Sequence, residues 1–188
     1  MHISIIIPTY NRCEILKETL ESFLLLKHNE NDFSYEIIVV DNNSNDNTKD
    51  VVMSFNGKLP ITYLHESKQG KNNALNLAIG QAQGEVLVFT DDDVFPDKNW
   101  LSEIYLSSQR YPEGLVFGGK ILPLFPPYTP EWMQTSYYSP FVYAIHDPAQ
   151  DEGFYHGSDT PCGPNCWVRR SVFAAGHMYD SDIGPKGS

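Results

Sequence analysis

Apolar and polar positions alternate in two rhythms through the first half of the chain. Short apolar runs at residues 3–7, 36–40, 61–64 and 85–89, rich in Ile and Val, read as β-strands. The first, second and fourth runs are apolar almost without interruption, as expected of strands covered on both faces of a parallel sheet. Between the first two, Leu16, Leu20, Phe23 and Leu24 fall on one face of a helix, and Asn11 with Glu14 reads as a capping box that opens it. The pattern predicts further helices over 47–55, 72–82 and 98–110. Strands alternating with helices across short connections predict an α/β chain: a mostly parallel, twisted sheet with helices on both faces.

The texture changes near residue 111. Pro123, Pro126, Pro127, Pro130 and Pro140 break any periodicity, and Trp132, Tyr137, Tyr138, Phe141 and Tyr143 crowd the same stretch. An irregular, aromatic-rich half over 111–188 is expected to pack against the sheet, with a strand near 115–122 and a short strand and helix start over 162–174. Its aromatic residues suit core filling and a substrate platform equally well. At 188 residues, one domain accommodates both halves, 1–110 and 111–188. The final Gly184-Pro185-Lys186-Gly187-Ser188 is turn chemistry without a closing element, and the chain reads as cut there.

Composition narrows the classes. An apolar content of 41% with 13% aromatic residues excludes a disordered chain. A formal net charge of −11 argues against non-specific nucleic-acid binding, which needs a basic surface. A cation-dependent, phosphate-bearing ligand stays compatible, because the metal supplies the local positive charge. Residues 3–7 are ended by Pro8 and lack the charged leader of a signal peptide. No run approaches the ~18 apolar residues of a membrane span, so a cytoplasmic location is expected. Cys162-x₃-Cys166 with His177 lacks a fourth zinc ligand at standard spacing, and these cysteines and Cys13 read as buried or loop thiols.

Chemistry concentrates where the predicted strands end, the rim at which open α/β sheets bind ligands. Strand one delivers Pro8-Thr9-Tyr10-Asn11-Arg12 and strand two Asp41-Asn42-Asn43-Ser44. The loop after strand three delivers Glu66-Ser67-Lys68-Gln69-Gly70-Lys71, and strand four ends in Asp91-Asp92-Asp93. Three adjacent carboxylates repel one another, and Asp-x-Asp at a strand end suits Mg²⁺ or Mn²⁺ already partly ligated by substrate phosphates. Taken alone, the triplet reads more readily as a solvated acidic turn leading to the next helix, and the chemistry at the other strand ends reverses that balance. Gly-x-Gly-x-x-Gly is absent from strand one and no Gly-x-x-x-x-Gly-Lys occurs, so a glycine-rich phosphate loop does not organise this rim.

Ser4-Ile5-Ile6-Ile7-Pro8-Thr9-Tyr10-Asn11-Arg12 resembles the opening of the family 2 inverting glycosyltransferases of GT-A fold. Ile38-Val39-Val40-Asp41-Asn42-Asn43-Ser44 resembles that family's second signature. Gly70 followed by Ala74-Leu75-Asn76 resembles its Gly…Ala-Arg-Asn helix, with Leu75 in place of the arginine. Gly84 through Asp93 resembles the strand bearing its Asp-x-Asp, and Gly163-Pro164-Asn165 with Arg169-Arg170 its later Gly-x-Asn…Arg-Arg element. Five motifs keep family order and spacing over residues 3–184.

The resemblance implies a nucleotide-sugar site in which Asp41 reads the base and Pro8, Thr9 and Arg12 frame the nucleoside. Tyr10, Asn43, Gly70 and Asn76 belong to the same motifs, and Lys71 is a diphosphate contact or simply an exposed helix-start lysine. Asp91, Asp92 and Asp93 would organise ribose, diphosphate and a divalent cation, Mn²⁺ or Mg²⁺, with Asp91 and Asp93 as the metal ligands. The implied reaction is a single displacement with inversion. A UDP- or GDP-sugar is the donor and a sugar or lipid-linked hydroxyl the acceptor, in polysaccharide or glycoconjugate synthesis, with peripheral attachment to a membrane face in a longer protein. The family's general base follows a segment like 178–184, which puts it beyond Ser188. Asp180 and Asp182 are the lesser candidates within the chain. The alternatives are a non-catalytic nucleotide-sugar-binding paralogue and a sugar-phosphate nucleotidyltransferase.

Overall fold

The computed structural model describes residues 1–135, 145–147, 152–155 and 160–184. In chain order the elements are β1 (His2–Thr9), α1 (Cys13–Phe23), β2 (Ser34–Asp41), α2 (Thr48–Met53), β3 (Ile61–His65), α3 (Lys71–Gln81), β4 (Val86–Phe89) and α4 (Trp100–Arg110). The later half adds β5 (Val116–Gly118), α5 (Glu131–Thr135), β6 (Cys166–Arg169) and α6 (Arg170–Ala174). The six strands form one sheet in the order β3-β2-β1-β4-β6-β5. Pairings β1–β2, β2–β3 and β1–β4 are parallel, and β6 runs antiparallel to both β4 and β5.

The unbroken apolar runs end up buried on both sides. Ile3, Ile5, Ile7, Ile37, Val39, Val86 and Val88 face one layer, against Leu16, Leu20 and Phe23 of α1, Val52 of α2 and Leu101 and Ile104 of α4. Ile6, Ile38, Val40, Leu87 and Phe89 face the other, against Ala74, Leu75, Ala78 and Ile79 of α3. The period-two alternation of a strand therefore sorts one run of isoleucines into two cores. Burying each such side chain stabilises the fold by about 1.5–3 kcal/mol. Backbones approach most closely at Gly84, where a Cβ would stand 2.5 Å from the Ser4 amide nitrogen.

Three local expectations need correcting. The capping box does not form. Asn11 adopts φ +52°, accepts from the Asn45 amide at 2.7 Å and gives its own N–H to Ser44 Oγ at 2.9 Å. The first α1 amide, Cys13 N–H, is instead capped by Asp46 Oδ2 at 2.9 Å, and Asp46 Oδ1 accepts from the Thr48 amide at the start of α2 at 3.0 Å. Leu24 is 46% exposed rather than in the helix face. The helix stops at Phe23, and i→i+3 bonds such as Leu24 N–H to Glu21 carbonyl tighten the turn and rotate Leu24 away from the sheet. The strand expected near 115–122 is shorter than its apolar run: only Val116–Gly118 pairs in the sheet, and Ile121 makes an isolated bridge with His146. In the aromatic stretch, Trp132 is 69% exposed, whereas Pro140, Tyr137, Tyr138, Phe141 and Tyr143 lie outside the described residues, as does 185–188.

Candidate functional site

In strand order, the chain moves outward from β1 through β2 to β3 and then returns to β4 on the opposite side of β1. That reversal makes the carboxyl ends of β1 and β4 the switch point of the sheet, where the strand order turns back and a crevice opens. A crevice of ≈ 250 Å³ occupies this place. Pro8, Thr9, Tyr10 and Arg12 line it from β1, Asn42 from β2, Gln69 and Lys71 from the approach to α3, and Asp91, Asp92 and Asp93 from β4.

The three aspartates are not equivalent. Asp92 is buried, with Oδ2 accepting from Thr9 Oγ1 at 2.7 Å and Oδ1 paired with Arg12 at 2.8 Å. Its carbonyl accepts from the buried Thr19 hydroxyl of α1 at 2.8 Å. Burial drives the Asp92 carboxyl above the usual carboxylate range, against the pull of the Thr9 hydrogen bond and the Arg12 charge. Asp92 is thus a brace between β4, β1 and α1. Asp91 and Asp93 stand at the rim, the first paired with Lys71 and the second with Arg12 at 2.8 Å. The hydrogen bond to Asp93 raises the Arg12 pKa further, so the guanidinium is a permanent cation here. Among the described residues, no three His, Cys, Asp or Glu side chains converge to hold a metal ion. Two rim carboxylates fit a hard cation that takes its remaining ligands from phosphate and water.

Asp41, only 3% exposed, does not line the crevice but lies beside it, in register with Thr9. Its Oδ1 accepts from the Ser44 amide at 2.8 Å and its Oδ2 from the Tyr63 hydroxyl at 2.7 Å. Burial and this bond push the Tyr63 pKa up, so the phenol remains a donor. Asn43, at φ +68°, makes the turn after β2 and is half-buried.

Asn42 organises the loop before α3. Its Oδ1 accepts from the Gly70 amide at 2.7 Å, and its Nδ2 donates to the Lys68 carbonyl at 2.9 Å. Gly70, at φ +129°, takes a corner that other residues reach only under strain, which delivers Lys71 to the crevice. Gln69 Nε2 donates to Tyr10 Oη at 3.0 Å. The strand-end rule reached Asn42 and Gln69 as rim residues without giving them a role. Tyr63 and Thr19 had no signal beyond the need of a buried hydroxyl for a partner.

Asn76 points away from the crevice. Its amide donates to the Tyr179 carbonyl at 2.8 Å and accepts from the Tyr179 amide at 3.0 Å. One turn earlier, Asn72 donates to the carbonyls of Asp180 at 2.7 Å and Ile183 at 2.9 Å. These two asparagines, four apart on one helix face, latch the 179–183 turn onto α3. Within that turn Asp180 Oδ1 accepts from the Asp182 amide at 2.9 Å, and neither aspartate lines the crevice.

The strand order and the crevice at its switch point define an open α/β domain with a ligand site at the carboxyl ends of β1 and β4. Residues 4–176 match the family described as Glycosyl transferase family 2, and the chain belongs to that family. It is 34% identical over 102 residues to the glycosyltransferase AglE of Haloferax volcanii, covering 53% of this chain and 33% of AglE. It is 33% identical over 105 residues to the poly(ribitol-phosphate) beta-N-acetylglucosaminyltransferase TarS of Staphylococcus aureus, covering 55% of this chain and 18% of TarS. The crystal structure of S. aureus TarS 1-349 in complex with UDP-GlcNAc matches with a TM-score of 0.66 at 22% identity, over 94% of this chain and 47% of that one. The mannosyltransferase PcManGT from Pyrobaculum calidifontis, in complex with GDP-Man and Mn²⁺, matches with a TM-score of 0.64 at 22% identity, over 98% and 49%. The fold is that of the GT-A glycosyltransferases. The chain spans a third or less of these two relatives and about half of these two structures.

Proposed function

We propose that this domain binds a UDP- or GDP-sugar with Mn²⁺ or Mg²⁺ and transfers the sugar, with inversion, to an acceptor hydroxyl in polysaccharide or glycoconjugate synthesis. The observation that carries this reading is the pairing of two rim carboxylates, Asp91 and Asp93, with two crevice cations at the β1–β4 switch point. Family membership supports it, as do the nucleotide sugars bound by TarS and PcManGT.

In this reading Asp41, oriented by Ser44 and Tyr63, accepts the ring N–H of uracil or guanine. Tyr10, held by Gln69, closes the crevice beside the nucleoside. Asp91 and Asp93 would hold the cation, which supplies Lewis-acid stabilisation to the departing nucleoside diphosphate. Lys71 and Arg12 add positive charge along the same path. The acceptor oxygen attacks the anomeric carbon from the face opposite the leaving group, the bond to the diphosphate oxygen breaks, and a carboxylate takes the hydroxyl proton. That base lies beyond Ser188 in the reading drawn from the family's motif order. Of the two aspartates in the latched turn, Asp180 already spends one oxygen on the turn itself, which leaves Asp182 the better candidate.

Calorimetric titration of UDP and GDP, each with Mn²⁺ and with EDTA, tests the reading. One nucleotide is expected to bind with Mn²⁺ and to weaken at least about tenfold in EDTA, a change of ~1.4 kcal/mol. Equal affinity in both conditions would remove the metal from the proposal. Failure of both nucleotides to bind would remove the donor.

A further inference from the structure

We propose that Lys71 is the resident cation of the divalent site: its ammonium pairs with Asp91, yields that carboxylate to an incoming divalent ion, and passes to the donor's diphosphate. The inference rests on the nucleotide-sugar reading above and adds to it a coupling between the two ligands.

The cluster is largely neutralised from within. Three carboxylates meet two cations, Arg12 on Asp92 and Asp93 and Lys71 on Asp91. A divalent ion approaching this rim meets carboxylates that already hold cations, Lys71 on one oxygen of Asp91 and Arg12 on one oxygen of Asp93, and the like charges repel. One partner has to move, and the geometry distinguishes them. Arg12 bridges two carboxylates in a planar fork, and one of these, Asp92, is only 4% exposed and held by Thr9. Lys71 contacts one carboxylate through a point charge on a flexible stem. Lys71 is the cation that can leave.

Its position also gives it somewhere to go. Lys71 is the first residue of the eleven-residue α3, whose first turn has no acidic side chain and whose start has no side-chain cap. A lysine at a helix N-terminus sits against the positive end of the helix dipole, and Asp91 compensates for this. An anion at the same place is favoured by both the dipole and the ammonium. A diphosphate therefore draws Lys71 off Asp91 and frees that carboxylate. A divalent ion on Asp91 releases Lys71 toward the phosphates. Each ligand removes the obstacle to the other, and by linkage the two effects are equal in size.

The distinctive consequence is one of sign. Neutralising Lys71 should strengthen the binding of Mn²⁺ alone, whereas it should weaken the binding of nucleotide alone. A lysine that only touches phosphate would leave the affinity for Mn²⁺ alone unchanged.

The test uses this chain and its Lys71→Met, Lys71→Gln and Lys71→Arg variants, each checked for folding by circular dichroism and thermal midpoint. Binding is measured by calorimetry for Mn²⁺ alone, for UDP and GDP in EDTA, and for Mn²⁺ with saturating nucleotide. In the parent, nucleotide should tighten Mn²⁺ by a factor within the ~5–150-fold range of typical couplings. Lys71→Met should bind Mn²⁺ alone at least about fivefold tighter than the parent, with the coupling correspondingly smaller. Lys71→Gln should behave as Lys71→Met does, and stands in for it should the latter fail to fold. Lys71→Arg should keep the parent's weak binding of Mn²⁺ alone. Unchanged or weaker Mn²⁺ binding in both neutral variants overturns the inference, and the donor reading stands if Mn²⁺ still binds with nucleotide. Absence of Mn²⁺ binding to the parent in every arm overturns the inference and the metal reading together.

Discussion

Both oxygens of the Asp41 carboxylate are engaged inside the protein, so its orientation is set before any base arrives. A carboxylate offers about four acceptor sites, and two remain for a ligand's N–H. Replacing Asp41 by Asn should weaken the preferred nucleotide by about 1.5–3 kcal/mol, the worth of a hydrogen bond to a charged group. Tyr63→Phe keeps the ring beneath Lys49 and removes only the hydroxyl, so the loss should be smaller, about 0.5–1.5 kcal/mol. If UDP is the ligand, both variants should also discriminate less against CDP, whose ring nitrogen is an acceptor at that position. Calorimetry with the two nucleotides reads both quantities, and an unchanged UDP-to-CDP ratio in both variants would contradict the base-reading role. Asp41 was legible from its place at a strand end. Tyr63 was not, because it meets Asp41 only through the register of β3 beside β2, and register is invisible in a single run of residues. The burial of Asp92, set between its two rim neighbours, was hidden in the same way.

The elements were legible to within a residue or two where an apolar period was strong, as in β1, β2 and α4, and less so where the caps came from elsewhere. Asn11 and Glu14 satisfy the local rule for a capping box, yet Asp46, far along the chain, does the capping and serves two helices. Asp46→Ala should therefore destabilise the fold by about 1 kcal/mol, mid-range for a lost cap because the carboxylate is exposed. Burial works to raise the Asp46 pKa, but hydrogen bonds from Thr48 and the Cys13 amide outweigh it, and the net direction is downward. A depressed carboxylate contributes stability above its unfolded value of ~3.9 and loses that contribution as pH falls through the folded value. The deficit of the alanine variant should accordingly be full at neutral pH and shrink below pH ~3.9. Urea melts of parent and variant across this range would show it. A deficit that grows on acidification would contradict the capping assignment.

At the scale of the molecule, the two halves that differ so plainly in sequence texture share one sheet and are joined again by the latch from Asn72 and Asn76 to the 179–183 turn. The parallel core was readable because its strands are consecutive and apolar. The joining of β5 and β6 to it was not, since their order follows from long-range pairing across a proline-rich stretch without periodicity. The reversed strand β6 also has a bearing on how the chain is made. Until it arrives, β4 is an open, apolar edge whose N–H and C=O groups can template another chain. β4 ends at Phe89 and β6 begins at Cys166, an interval of roughly 4–15 s at ~5–20 residues per second of synthesis. A chain shortened to residues 1–110 should keep that hazard for good, and sedimentation velocity should find it self-associated at concentrations where residues 1–188 sediment as one smaller species. A monomeric, folded 1–110 would mean that β4 needs no cover. On this account, the last-made of the described strands guards the solubility of what is made before it.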